Sequence, residues 1–171
     1  MLLLRRRSLE VNVKTSQSIN KNREELLNDV KASQQELSNL LMSVAEDQDW
    51  QPEPHEWSFR YIAGHMATVD KDCFFPRMTK IAAGIKPHFG YYLNDNFNFG
   101  YLDLQFYLKE WATTRQMIID FVRALPEEAL LLTGTHATFG TLTVLGILQI
   151  MLDHDREHFE HLKKLLIQYQ N

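Results

Sequence analysis

The stretch that decides the fold runs from Leu142 to Tyr169 and reads LTVLGILQIMLDHDREHFEHLKKLLIQY. An α-helix turns about 100° per residue, and at that pitch the stretch has one apolar face. With His158 set at zero, Val144, Ile147, Met151, Leu162, Leu165 and Tyr169 fall within about 40° of it. Arg156, Glu160, Lys163 and Lys164 fall on the far side. The spacing predicts a long amphipathic helix over about 142–169, capped by Thr141 or Thr143. It also raises a chemical question. His154 lies about 40° from His158, and His161 about 60° to the same side. Two imidazoles therefore stand in the apolar stripe and a third at its edge. They are either histidines satisfied within a core or ligands of something held there.

Three further segments carry the helical period. From about Ser18 to Glu46, Leu26, Val30, Leu37, Leu40, Leu41 and Val44 recur at spacings of three and four, the mark of one buried face. DWQPEPHEWS (49–58) then breaks the pattern with two prolines. Ser58 suits the N-cap of a second helix over about 59–83. Pro76 lies inside that helix and should kink or divide it. GIKPHFGYYLNDNFNFGY (84–101) has no clear period, and so long a connection in a helical domain is often functional. A third helix is expected over about 102–124, with Leu104, Leu108, Trp111, Ile118, Phe121 and Val122 as core candidates. LLTGTHATFGT (131–141) reads as a loop, in part extended. Four long amphipathic helices without a sustained strand pattern imply an all-α four-helix bundle, with room for a crossover between helices 2 and 3. Residues 1–17 are expected to form a loosely ordered tail ahead of a bundle over 18–171.

The chain has 171 residues, which suits one domain. Its formal charge of −4 and isoelectric point near 6.0 argue against nucleic acid, whose phosphates call for a basic face. No run approaches the ~18 apolar residues of a membrane span. Cys73 is the only cysteine, so no internal disulfide forms, which suits a reducing cytoplasm.

His65, on the second helix, shares a face with Ile62, Val69 and Asp72. Two helices of one bundle thus each carry inward imidazoles. His-x-x-x-His alone is weak evidence, because seven histidines make such a pair by chance often enough. The shared inward phase strengthens it. Two imidazoles at i, i+4 can grip one ion, and a neighbouring helix can supply a third. Three histidines with an open position are a catalytic pattern for zinc and similar ions, whereas closed structural sites use four protein ligands. HDREH (154–158) resembles the zincin motif with Asp155 in place of glutamate, but no glutamate follows Glu160 as a distal ligand. A di-iron site needs two Glu-x-x-His motifs, and the sequence has none.

The chain resembles the DinB-like (YfiT-like) metalloprotein superfamily. The resemblance rests on WSFRYIAGHM (57–66), on FGTLTVLGIL (139–148) and on HDREH late in the last helix. It implies an up-down-down-up bundle with a long crossover, often a homodimer, and one divalent ion held by His65, His154 and His158. His161 stands where the family often has glutamine, so it is not carried over as a ligand. Characterised relatives include bacillithiol transferases and mycothiol-dependent isomerases. The reading is a metal-dependent enzyme that performs transfer or isomerisation with a small thiol, or uses metal-activated water, on a small-molecule substrate. The alternative is a non-catalytic, dimeric, metal-binding stress or scaffold protein. Imidazoles suit both zinc and nickel.

Other residues are more open. Cys73 is read as a small core thiol rather than a nucleophile. Asp155, Asp72 and Tyr61 could orient ligand rings as outer-shell groups do, or serve surface and interface. Phe89, Tyr91, Tyr92, Phe97 and Phe99 could wall a pocket over the ion, or pack the loop or a dimer contact. His55, His88 and His136 fall in loops and are expected to be exposed.

Overall fold

Four amphipathic stripes become four long helices in the computed structural model. It describes the backbone of residues 2–94 and 97–171 and the side chains from residue 18 onward. Helix α1 spans Leu2–Met42. Its backbone is helical well ahead of the Ser18 start expected from the sequence, while the side chains of the expected tail lie outside the described residues. Helix α2 (Phe59–Val69) opens at Ser58, whose hydroxyl accepts from Tyr61 N at 3.2 Å. It passes through a π-turn at Asp70–Phe74 into α3 (Phe75–Ala82). Pro76 neither ends nor sharply divides this helix. Its ring would crowd the carbonyl four residues back, at Asp72, and it has no N–H to donate there. The wider turn, in which Phe75 N–H bonds Asp70 O, relieves that conflict.

Strand β1 (His88–Phe89) follows in the connecting segment, then helix α4 (Leu104–Ala124) and the short helix α5 (Glu127–Leu130). Strands β2 (Gly134–His136) and β3 (Gly140–Leu142) form a hairpin. β1 pairs with β2 in parallel, giving a small three-stranded sheet. Gly140 turns the hairpin at φ +69°, where a side chain would be strained. Helix α6 (Val144–Tyr169) opens at Thr143, whose hydroxyl accepts from Gly146 N at 3.1 Å.

Side-chain pairings fix the helix directions. Arg60 reaches the carbonyl of Leu102, Asp70 bonds Trp111, and Phe75 meets Phe121, so α2–α3 and α4 run the same way. Asn20 bonds Glu127, Arg123 bonds Glu24, and Arg115 bonds the Val30 carbonyl, so α1 runs against α4. Phe59 touches Tyr169 and Phe74 touches His154, so α2–α3 run against α6. The segment 83–103 therefore carries the chain back along the bundle before α4 begins. Among the described residues, no helix is long and apolar enough to cross a membrane.

The apolar core divides into two clusters. One contains Val30, Met78, Ile118 and Met151; the other contains Leu37, Phe59, Ile62 and Leu162. Polar residues lie at the junction. Arg115 is buried between Asp70 and Asp155 and makes ion pairs of 2.7 and 2.8 Å to them. Trp111 Nε1 also donates to Asp70. Burial raises both carboxyls and would lower Arg115, but the opposed charges hold the guanidinium above its ordinary value. For Asp70, burial outweighs Arg115 and brings it to about 6.

Candidate metal centre

The same junction holds the histidines. Met66, Ile62 and Val69 turn into the core, and this phase carries His65 inward on α2, where it is buried. On α6 the buried stripe of Ile147, Met151, Leu162 and Leu165 places His154 and His158 at its border, half-buried. The three rings meet through their Nε2 atoms. His154 Nε2 lies 3.1 Å from His65 Nε2 and 3.2 Å from His158 Nε2. His161 is half-exposed and meets Trp57 at 6.2 Å between ring centroids, outside the group of three donors.

These distances suit a shared cation. Metal–nitrogen bonds of about 2.0–2.1 Å at tetrahedral angles separate ligand nitrogens by about 3.3 Å. The alternative is a chain of N–H···N bonds, in which His154 Nε2 would have to satisfy both neighbours with a single proton or lone pair. Protonation is also disfavoured. Burial first, then the His65 and Arg115 charges, lowers His154 to about 3. Burial first, then His154, His65 and His161, lowers His158 to about 2. Neutral rings keep the lone pairs that a cation needs.

The surroundings orient the rings. Asn94, buried in the connecting segment, accepts from His65 Nδ1 through Oδ1 at 2.7 Å. That bond puts the proton on Nδ1 and the lone pair on Nε2. Tyr61 donates to the Asn94 carbonyl and so steadies the same segment. The Nδ1 atoms of His154 and His158 are buried without a partner among the described residues. Rings hold them instead: Trp57 stacks on His158 at 5.6 Å, and Phe74 meets His154 edge-on at 5.7 Å.

The sequence reading needs correction at Asp155 and His136, and at Asp72 the surface alternative holds. Asp155 does not orient a ligand ring; it is fully buried against Arg115, with Ser33 as a further partner. Asp72 is exposed, and the buried carboxylate of that turn is Asp70. His136 is buried, at 5% exposure, because alternation in β2 turns Gly134 and His136 to the same inner face. Nothing in the sequence marks Asn94, which lies in a segment without period.

A cavity of about 430 Å³ adjoins His65 and His154. Val69, Phe74 and Ile150 give it apolar walls, and Cys73, Arg77, Tyr92 and His136 also line it. Tyr91 and Phe139, both well exposed, form its lip. Of the other loop aromatics, Phe89 lies beneath Arg77, and Phe97 and Phe99 line a separate cleft with Arg60. Burial raises the Cys73 thiol to about 11 despite Arg77, so it stays protonated at neutral pH.

The family model of the DinB superfamily matches residues 29–162. No curated protein matches the chain. Among solved structures, the fold is similar to that of YfiT from Bacillus subtilis, described as a probable metal-dependent hydrolase with an unusual four-helix bundle topology. That likeness has a TM-score of 0.73 at 14% identity and covers 86% of this chain and 87% of the other.

Proposed function

The chain belongs to the DinB superfamily, and on that premise we propose that it is a metal-dependent enzyme acting on a small molecule. His65, His154 and His158 hold one divalent ion, zinc or nickel. The observation that carries the reading is the convergence of three Nε2 atoms beside a cavity of about 430 Å³. A non-catalytic scaffold would need no such space beside its histidines. An ion with an open coordination position supplies a Lewis acid and lowers the pKa of water or a thiol bound to it.

The chain's own residues define the rest. Asn94 fixes the His65 tautomer. Val69, Phe74 and Ile150 exclude water from the apolar side of the cavity. Cys73, held as a thiol, leaves the nucleophile to come from outside, as a small thiol or water. Transfer or isomerisation with a small thiol is the preferred reaction, hydrolysis the second. The family resemblance further suggests that the protein acts as a homodimer.

Elemental analysis of protein purified without a histidine tag tests the site. One ion per chain is expected, with His154→Ala losing most of it and His161→Ala keeping it. Equal loss from both, or none from either, would overturn the ligand set. If metal-loaded protein turns over neither thiol-dependent substrates nor esters, the scaffold reading takes its place.

A further inference from the structure

The cavity has a cation that, among the described residues, no carboxylate takes up in an ion pair. Arg77, half-buried at its wall, donates one N–H to the Gly90 carbonyl at 2.7 Å and lies 5.3 Å over the Phe89 ring. These contacts fix the guanidinium yet leave most of its donor fork unused. Among the described residues, no carboxylate forms an ion pair with it. Asp153 and Glu157 also line the cavity, but Asp153 is engaged by Gln149 and Arg156 and Glu157 is exposed at the rim, while Asp72 is exposed in the neighbouring cleft that Arg77 also lines.

Two neutral donors share the cavity. His136 Nδ1 accepts from the Thr138 and Phe139 backbone N–H groups at 3.1 and 3.4 Å. That assigns the ring proton to Nε2, which has no partner among the described residues. Burial, with help from Arg77 and His88, lowers His136 and keeps the ring neutral. The Tyr92 hydroxyl is buried without a partner among the described residues, and burial raises it to about 12. A fixed guanidinium with two neutral donors, set among apolar side chains, matches one planar monoanion on an apolar body.

Resting on the metal-enzyme reading above, we propose that the cavity takes a small apolar carboxylic acid, with Arg77 pairing its carboxylate and His136 and Tyr92 as supporting donors. Arg77 is then the specificity-determining residue. It would hold the acid end of the substrate while the apolar body lies along Val69, Phe74 and Ile150.

The test uses protein incubated with Zn²⁺ or Ni²⁺, its metal content measured, and titrated calorimetrically with 3-phenylpropionate and the uncharged 3-phenylpropionamide. The carboxylate should bind at least about tenfold more tightly, as expected for a charge-assisted contact. Arg77→Met should erase that preference at unchanged metal content, and Arg77→Lys should keep part of it. Arg77→Gln replaces the methionine variant if that one unfolds. Equal affinity for the two probes overturns the inference. So does a preference that survives in folded Arg77→Met protein, because the ion itself would then hold the carboxylate. Wild-type protein that takes up no ion, yet keeps an Arg77-dependent preference, preserves this inference and sinks the metal reading instead.

Discussion

At the scale of single residues, the site depends on how burial treats imidazole. An ordinary histidine near 6.5 takes a proton in mild acid and surrenders its lone pair. His154 and His158, lowered to about 3 and about 2 by burial first, refuse that proton in the folded chain. Burial thus moves proton competition at these two rings well below the ordinary 6.5. Metal-loaded protein dialysed at pH 5 should therefore keep its ion, as measured by elemental analysis. Metal loss with a midpoint near 6.5 would mean that the rings are not shielded. The unfolded chain does take those protons below 6.5, so the two histidines make the metal-free protein less stable as the medium is acidified. Asn94 acts on the third ring. Removing the acceptor of His65 Nδ1 should weaken metal binding about 10–100-fold, the usual effect of losing an outer-shell partner. Chelator competition on Asn94→Ala would measure it, and an unchanged affinity would remove Asn94 from the site.

Between elements, two contacts set the frame. Arg115 on α4 joins Asp70 after α2, Asp155 on α6 and the Val30 carbonyl of α1, so one side chain ties all four long helices at the level of the histidines. Removing it leaves two buried carboxyls without their cation. Arg115→Ala should cost about 3–5 kcal/mol, which for a domain of this length lowers Tm by roughly 6–20 °C. A loss under about 1 kcal/mol, the range of surface ion pairs, would show that the network is dispensable. The second contact is Gly64 against Phe99, whose ring would overlap any Cβ placed there. Phe99 pins the connecting segment that also carries Asn94. Gly64→Ala should thus weaken metal binding in the same direction as Asn94→Ala, since its added methyl meets the Phe99 ring. The long helices were legible because their apolar residues repeat at three and four, and Ser58 and Thr143 cap as their hydroxyls allow. The hairpin of β2 and β3 was not, because its strands have three residues each, too few for alternation to register. The π-turn followed from Pro76, but the sequence could not say whether the helix would break there or widen.

For the molecule as a whole, the convergence of the three histidines was readable because each falls in phase with its own helix's core, and the bundle brings those faces together. The cavity was not readable, since Arg77, His136 and Tyr92 come from three elements with no common period. The surface gives one expectation. Phe97, Tyr101, Leu102 and Phe106 leave much apolar area exposed around the start of α4, an arrangement that suits a contact with a second copy. Light scattering at tens of micromolar protein should give twice the 20.1 kDa chain mass, and a monomer there would count against the dimer. The cavity as a unit makes the stronger chemical prediction. Cys73 is the only thiol that lines it, and burial raises that thiol to about 11. At pH 8 only about one part in a thousand would be thiolate, the reactive form. An added thiol drawn to a cation is instead stabilised as thiolate, so its rate should rise with pH well below the free value of about 8.5. Cys73→Ser should leave that turnover within about threefold of wild type, since the protein sulfur is not the reacting one and serine fits the same small space. If the folded, metal-replete variant loses turnover altogether, the attacking sulfur is Cys73, and the cavity must lower a thiol that burial alone would raise.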